Sequence, residues 1–147
     1  MTDIEMVERG PAVIVGVPVI GTFAELGRLV PEAWRRLHDR VGQDSDLTLA
    51  EVSVDLGDGR YHETLGALTG AREARRLHIP GCVCSYVPGG RWVQTIHEGP
   101  ERAIADTFGR LLDRIAADGG QPGPHKLDIG YTVDGEGGPH LLAVQLA

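Results

Sequence analysis

Two glutamates in otherwise apolar strands are the residues of this sequence best placed to do chemistry. Glu51 lies within Leu49–Ser53 and Glu63 lies within Tyr61–Leu65, segments that read as strands. A carboxylate on the inner face of a sheet is costly unless it is paired, so a cationic ligand or a raised pKa is expected there. Together with His97, the same groups could supply the general base and the general acid of a hydrolysis. The spacing does not decide between binding and catalysis.

Aromatic side chains make up only 5% of the chain, so each one is a candidate to stack against a ligand. Trp34 lies on the apolar stripe of a helix, where it could be a core residue or line a pocket. Trp92 points away from its core-facing neighbours Val93 and Thr95, and we expect it on the face where a ligand groove could lie. Stacking a flat ligand on tryptophan contributes about 0.5–1.5 kcal/mol beyond burial, and more for a cation. Tyr131 is a weaker candidate.

The elements that must position these residues occur twice along the chain. Gly10–Val41 has the pattern of a strand, a turn and a helix, and Gly90–Ile115 has the same pattern. Within the two helices, Trp34 corresponds to Phe108. Two copies of a unit too small to close its own core must bury their apolar faces against each other, and a pocket tends to form at such a seam. Phe108 is therefore a candidate to line that pocket.

Hydrophobic patterning predicts an α+β fold in which the order strand-helix-strand-strand occurs twice. We expect a mostly antiparallel sheet, two main helices on one face and a ligand cleft between the halves. Pro31 is expected to kink or restart the first helix. The chain is predicted to be one domain, 1–147, with repeats at about 7–70 and 82–147 joined by a connector at about 71–81. The predicted strands are Pro11–Val19, Leu47–Asp55, Tyr61–Thr69, Arg91–His97, Lys126–Val133 and Leu141–Leu146, and the predicted helices are Phe23–Val41 and Pro100 to near Asp118.

Composition excludes several classes of function. The net charge of −7 argues against nucleic acid as a partner and suits a cationic ligand. No run of about 18 apolar residues predicts a membrane span, and the acidic start lacks the basic region of a secretory signal, so a cytoplasmic location is expected. Cys82 and Cys84 form neither a CxxC motif nor a zinc site. No metal or cofactor is expected.

Motifs in the second repeat resemble those of a known family. Pro88–Val93 followed by Thr95–Pro100 is similar to the strand and helix start of the GyrI-like small-molecule-binding domain, and Trp34–Leu37 resembles its tryptophan-bearing helix. This domain also forms the effector-binding part of some AraC-type and MerR-type transcription regulators. The resemblance spans about 7–147. It implies that flat, hydrophobic, often cationic drugs and dyes bind between the two halves and stack on aromatic rings.

The resemblance also implies where a charge-selecting carboxylate should lie. Family members often carry it on the last strand, in a Glu-x-aromatic-x-Pro pattern. Here Ala143 occupies the glutamate position and Gln145 the aromatic position, while Asp128 matches an acid on the strand before. Gln145 is thus a candidate ligand contact, and Glu51 and Glu63 are the candidates to replace the missing carboxylate.

Three functions are compatible with these residues. We expect a free-standing protein that binds hydrophobic, planar, cationic small molecules, as a multidrug-binding or resistance protein. The first alternative is a hydrolase that opens strained, cyclopropane-containing polycyclic compounds, because one branch of the family resembles such enzymes. The second is a protein-interaction module, because some relatives are linked to inhibition of DNA gyrase. Neither the ligand nor the oligomeric state is decided at this level.

Overall fold

The computed structural model describes residues 3–41, 46–77, 79–131 and 138–147. The predicted loops at 42–46 and 134–138 fall mostly outside these ranges, as does the end of the strand predicted at Lys126–Val133. The elements in chain order are β1 (Glu5–Arg9), β2 (Ala12–Thr22), α1 (Phe23–Val41), β3 (Leu49–Asp55), β4 (Arg60–Thr69), α2 (Ala71–Ala74), β5 (Val83–Val87), β6 (Gly90–His97), a 3₁₀ turn (Glu101–Ala103), α3 (Ile104–Ala117), β7 (Pro122–Tyr131) and β8 (His140–Leu146).

The fold is α+β, as predicted, with one eight-stranded antiparallel sheet and two main helices. The strand order is β1-β6-β8-β7-β3-β4-β2-β5. A first unit, β2-α1-β3-β4, and a second unit, β6-α3-β7-β8, meet where β3 pairs with β7. Helix α1 has the predicted bounds and continues through Pro31 rather than restarting there.

Two strands exchange between the units. β1 precedes the first unit in the chain but pairs with β6 of the second, and β5 precedes the second unit but pairs with β2 of the first. The prediction missed β1 because Glu5–Arg9 contains three charged residues among five and pairs at the edge of the sheet. Each unit is thus completed by the strand that leads into the other.

Short chain links force the sheet to curl. Only Gly10 and Pro11 join β1 to β2, and only Pro88 and Gly89 join β5 to β6. Two intervening residues span at most about 11 Å, whereas six strand spacings of a flat sheet would separate each pair of strands by about 29 Å. The two links also touch, since a Cβ on Gly89 would lie 2.9 Å from the Pro11 nitrogen. The ends of the sheet therefore approach each other.

The curl gives the sheet two different faces. One buried cluster joins residues from both ends of the sheet, among them Ile14, Val87 and Trp92, so this face lies inside the curl. The opposite face carries both helices. There α1 buries Leu26, Ala33, Trp34 and Leu37 over β2, β3 and β4, and α3 buries Leu111 and Ile115 over β6 and β8. The central strands β3 and β7 lie between the two helices on that outer face.

Candidate ligand-binding cleft

A cleft of about 440 Å³ opens between α1 and the central strands of the sheet. Its volume falls within the range of about 300–1,000 Å³ that is typical of small-molecule sites. The wall from α1 is mostly apolar, and the floor contributes carboxylates. The lining residues are Phe23, Leu26, Gly27, Val30, Pro31, Trp34 and His38 of α1, Glu51, Glu63 and Tyr131 of the sheet, and Glu101 of the 3₁₀ turn.

Three acidic side chains lie on adjacent strands of the outer sheet face. Glu51 of β3 is directly opposite Asp128 of β7, and Glu63 of β4 is opposite Ser53, two residues after Glu51. Directly opposite Cβ atoms lie about 4.5–5.5 Å apart and diagonal neighbours about 7–8 Å apart. Pairing between the units therefore concentrates negative charge at the floor of the cleft.

Two hydrogen-bonding side chains, the Trp34 indole and the Tyr131 hydroxyl, interact with Glu51. The Trp34 indole Nε1–H donates to its Oε1 at 2.7 Å. Burial raises the pKa of Glu51 to about 8, the negative charge of Glu63 adds to the rise, and the bond from Trp34 opposes it. Within the described part of the chain, no cationic group lies within ion-pair distance of Glu51 or Glu63. Glu51 therefore holds a proton more readily than an exposed glutamate does.

Glu63 has a partial counter-charge in Lys126. Burial raises the pKa of Glu63 to about 7, whereas the Ser53 hydroxyl and the Lys126 ammonium lower it. The Lys126 Nζ lies 5.9 Å from the ring centroid of Tyr61 and 5.8 Å from that of Phe108. The ammonium therefore sits near two aromatic rings and beside a carboxyl group.

Asp128 is compensated within the protein. His140 Nδ1 lies 2.6 Å from Asp128 Oδ1, and the Tyr131 hydroxyl donates to Oδ2 at 2.7 Å. The hydrogen bond to Asp128 raises the pKa of His140, although burial opposes the rise. Burial and the charges of Glu51 and Asp128 raise the pKa of the Tyr131 hydroxyl, so it remains a donor. Asp128 thus holds Tyr131 in place at the edge of the cleft.

Aromatic rings form one wall of the cleft. Trp34 and Tyr131 are stacked with ring centroids 4.6 Å apart and an interplanar angle of 29°, and His140 meets Tyr131 edge-on at 4.7 Å. Offset stacking and edge contacts are the arrangements that aromatic quadrupoles favour. The pair comes from different units, α1 and β7, and lies next to Glu51.

The structure brings together four of the predicted site residues: Trp34, Glu51, Glu63 and Tyr131. Phe108 contacts Lys126 without lining the cleft itself. The four residues lie on three strands and one helix, so only the tertiary fold makes them neighbours.

Trp92 and Gln145 lie elsewhere. Trp92 does point away from Val93, as expected, but that face is the inside of the curled sheet, where its side chain is 0% exposed. Gln145 pairs with Trp92 across the sheet, and its Oε1 lies 3.1 Å from His125 Nδ1. The expectation that Trp92 faces a groove was wrong because curling closes this face to solvent.

His97 fixes the start of the second helix. Its Nε2 lies 3.0 Å from the Pro100 carbonyl oxygen and its Nδ1 lies 2.8 Å from the Thr107 hydroxyl oxygen. A carbonyl only accepts, so Nε2–H donates and Nδ1 accepts from Thr107. The side chain is buried and does not line the cleft, so a direct chemical role there is not open to it.

Sequence reasoning missed His140, Glu101 and the positioning role of Asp128. One signal for His140 was available in the repeat itself. Glu63 lies two residues before Leu65, which is opposite Glu51, and His140 lies two residues before Leu142, which is opposite Asp128. His140 is therefore the repeat equivalent of Glu63. Glu101 gave no such signal, because its place depends on how the turn before α3 packs toward α1.

The described residues contain neither a metal-ligand cluster nor a membrane-spanning helix. No group of three or more His, Cys, Asp or Glu side chains among them could hold a metal ion. In the same ranges, no helix is long and apolar enough to cross a membrane.

The comparisons with known proteins concern the fold. No family model matches the chain, and no curated protein matches it. Solved structures match over nearly the whole length. An integron cassette protein from Vibrio cholerae matches with a TM-score of 0.73 and 9% identity, covering 98% of this chain and 95% of that one.

Two further solved structures match the chain over nearly its whole length. SAV2435 bound to tetraphenylphosphonium matches with a TM-score of 0.72 and 11% identity, covering 99% of this chain and 94% of that one. The C-terminal domain of EcmrR matches with a TM-score of 0.67 and 11% identity, covering 100% and 98%. At these identities the likeness establishes a shared fold, a class that includes at least one small-molecule-binding protein.

Proposed function

We propose that this protein is a GyrI-like domain that binds hydrophobic, flat, cationic small molecules in the cleft between α1 and the central strands. The observation that supports this most directly is the Glu51–Glu63 pair. Two carboxyl groups lie at the floor of an apolar cleft, and no cationic group among the described residues lies within ion-pair distance of either. A buried carboxylate needs a counter-charge, and a cationic ligand would supply one.

The wall of the cleft suits the rest of such a ligand. The Trp34 and Tyr131 rings and the side chains of Leu26 and Val30 offer an apolar surface beside the carboxyl groups. A cation near an aromatic face gains about 0.5–2 kcal/mol, and burial of its apolar atoms adds about 25 cal/mol per Å². The structural neighbour SAV2435 binds tetraphenylphosphonium, a hydrophobic monocation, which supports the same class of ligand here.

Charge selection is tested with rhodamine 6G and a pair of competitors of equal shape. Dye binding is followed by fluorescence polarisation, and tetraphenylphosphonium or tetraphenylborate is then added. The cation should displace the dye and the anion should not. Glu51→Gln should weaken dye binding about tenfold or more at pH 8.5, because one buried carboxylate is lost, whereas Glu8→Gln on exposed β1 should not. Equal displacement by both ions would remove the support for charge selection.

The two tryptophans provide an internal control for the location of the ligand. Trp34 lines the cleft, and Trp92 is buried on the other face of the sheet. Quenching of tryptophan emission by bound dye should therefore persist in Trp92→Phe and be largely lost in Trp34→Phe. The opposite pattern would place the ligand on the inner face and contradict the proposed site.

Hydrolysis is a second candidate because the two carboxyl groups titrate near neutrality. The pKa values of about 8 for Glu51 and about 7 for Glu63 suit a general acid and a general base at physiological pH. A hydrolase should open a cyclopropane-containing polycyclic electrophile, and Glu63→Gln should then abolish turnover while binding persists. Binding of that compound without any product, at protein concentrations above the dissociation constant, would leave only the binding function.

A further inference from the structure

We propose that the cleft exchanges a proton for its cation: the empty Glu51–Glu63 pair holds a carboxyl proton, and a cation that enters beside the pair expels it to solvent. This inference rests on the proposed function and concerns how the same site is regulated. It makes cation affinity a function of pH within the physiological range.

The positions of the acidic residues on the strands are the first observation that supports the proton exchange. Glu51, Glu63 and Asp128 lie on three adjacent strands of one face, as direct or diagonal neighbours. Asp128 is matched by His140 through a 2.6 Å contact. Among the described residues, Glu63 but not Glu51 has a nearby cation, the Lys126 ammonium, which also lies near two aromatic rings.

The groups that face the pair come from every packed element. They are His38 of α1, Glu101 of the 3₁₀ turn, Lys126, Asp128 and Tyr131 of β7, and His140 of β8. When Glu51 and Glu63 are counted and Asp128 is taken as paired with His140, three carboxyl groups remain against two basic side chains, Lys126 and His38. A proton on the Glu51–Glu63 pair removes the excess negative charge that burial disfavours.

A bound cation compensates the same excess negative charge as the proton does. Its charge stabilises the ionised carboxylates and lowers their pKa values from about 8 and about 7 toward the ordinary range. One monocation enters and about one proton leaves, so the charge of the cleft is unchanged. By linkage, the slope of log affinity against pH equals the number of protons released. Affinity should rise at least tenfold between pH 6 and pH 7, because both carboxyl groups can carry a proton at pH 6, and should level off above about pH 8.5.

Calorimetry of tetraphenylphosphonium binding tests the exchange. Titrations at pH 7.0 in phosphate and in Tris, whose ionisation enthalpies differ, give the number of protons released per cation. We expect about one for the wild-type protein and for Glu8→Gln, and less than half as many for Glu51→Gln or Glu63→Gln. At pH 9.5 the wild-type release should fall toward zero, because the pair is then ionised before binding.

The outcomes separate this inference from the function on which it rests. Binding without proton release at pH 7.0, and with equal affinity at pH 6 and pH 8.5, overturns the exchange and leaves cation binding intact. Undiminished release in both glutamine variants overturns the assignment to this pair. Absence of binding at every pH overturns the proposed function itself. The wild-type titrations decide the exchange even if a variant fails to fold.

Discussion

Equivalent positions in the two units hold opposite chemistry. Glu51 and Glu63 of the first unit occupy the places of Asp128 and His140 in the second. Glu51 lies opposite the residue two positions after Glu63, and Asp128 lies opposite the residue two positions after His140. In the second unit the acid meets a base at 2.6 Å, and in the first an acid meets an acid. One repeat is internally neutralised, whereas among the described residues the carboxyl pair of the other has no cationic group within ion-pair distance.

Under the proposed function, this difference is what makes one copy of the repeated unit a ligand site. Both pairs lie on the face that carries the helices, with Asp128 and His140 buried and Glu51 and Glu63 half-buried. In the second unit His140 pairs with Asp128, which also holds Tyr131 in place. In the first unit Glu63 stands at the position of His140, so Glu51 and Glu63 form a pair of acids beside the cleft. The following substitutions exchange or remove these partners, in order of expected effect.

Asp128→Asn should have the largest effect on stability. It removes the negative charge that pairs with His140. It also removes one of the two carboxylate oxygens, of which one contacts His140 and the other accepts a hydrogen bond from Tyr131. Removing one partner of a buried pair costs about 3–5 kcal/mol, which urea denaturation at pH 7 would measure. The exposed Asp118→Asn, which breaks only the surface pair with Arg114, should cost less than about 1 kcal/mol. Similar losses in both variants would show that the second unit is not anchored by this pair.

Glu51→Gln should instead stabilise the empty protein at alkaline pH. The folded-state pKa of Glu51, about 8, lies above its ordinary value of 4.5, so its contribution to stability is fully present below about pH 4.5 and is lost as pH rises through about 8. The amide cannot ionise and still accepts from Trp34. At pH 9 we expect a gain of about 1–3 kcal/mol, or roughly 3–9 °C in Tm, from thermal unfolding. At pH 5 the gain should vanish, and an equal gain at both pH values would contradict the assignment.

Glu63→His tests whether the first unit can be given the chemistry of the second. A histidine beside Glu51 would pair with it as His140 pairs with Asp128 and would repel an incoming cation. Tetraphenylphosphonium affinity at pH 7 should fall about tenfold, equivalent to about 1.4 kcal/mol. Unchanged affinity in calorimetry would show that Glu63 takes no part in charge selection. Glu8→Gln again serves as the variant that should bind normally.

Lys126→Met should produce the smallest change of the four substitutions. The Lys126 ammonium lies near the Tyr61 and Phe108 rings and lowers the pKa of Glu63, so it competes for the features that attract a ligand cation. Its removal should raise cation affinity about two- to fivefold by calorimetry, in keeping with about 0.5–1 kcal/mol for an exposed cation–π contact. Lys126→Arg keeps the charge and should leave affinity nearly unchanged. A loss of affinity in Lys126→Met would instead make the lysine part of the binding surface.

Local patterns were sufficient to predict much of the secondary structure. The apolar stripe of α1 predicted its bounds at Phe23–Val41, because a helix buries every third or fourth residue and shows this period in sequence. The order strand-helix-strand-strand followed from similar periods and from glycine-rich turns. β1 did not follow, because its pairing with β6 depends on a partner about 85 residues away.

For the candidate site too, local features could be predicted from the sequence, but the contacts between them could not. From the amino-acid sequence alone it follows that two glutamates interrupt apolar strands, that Trp34 shares a stripe with core residues, and that the unit occurs twice. The three-dimensional structure was needed to find that the sheet curls and so buries Trp92, and that Glu51 lies opposite Asp128, which pairs with His140. The physical reason is that alternation along a strand separates two faces without saying which is buried, whereas long-range pairing and short links between distant strands decide it.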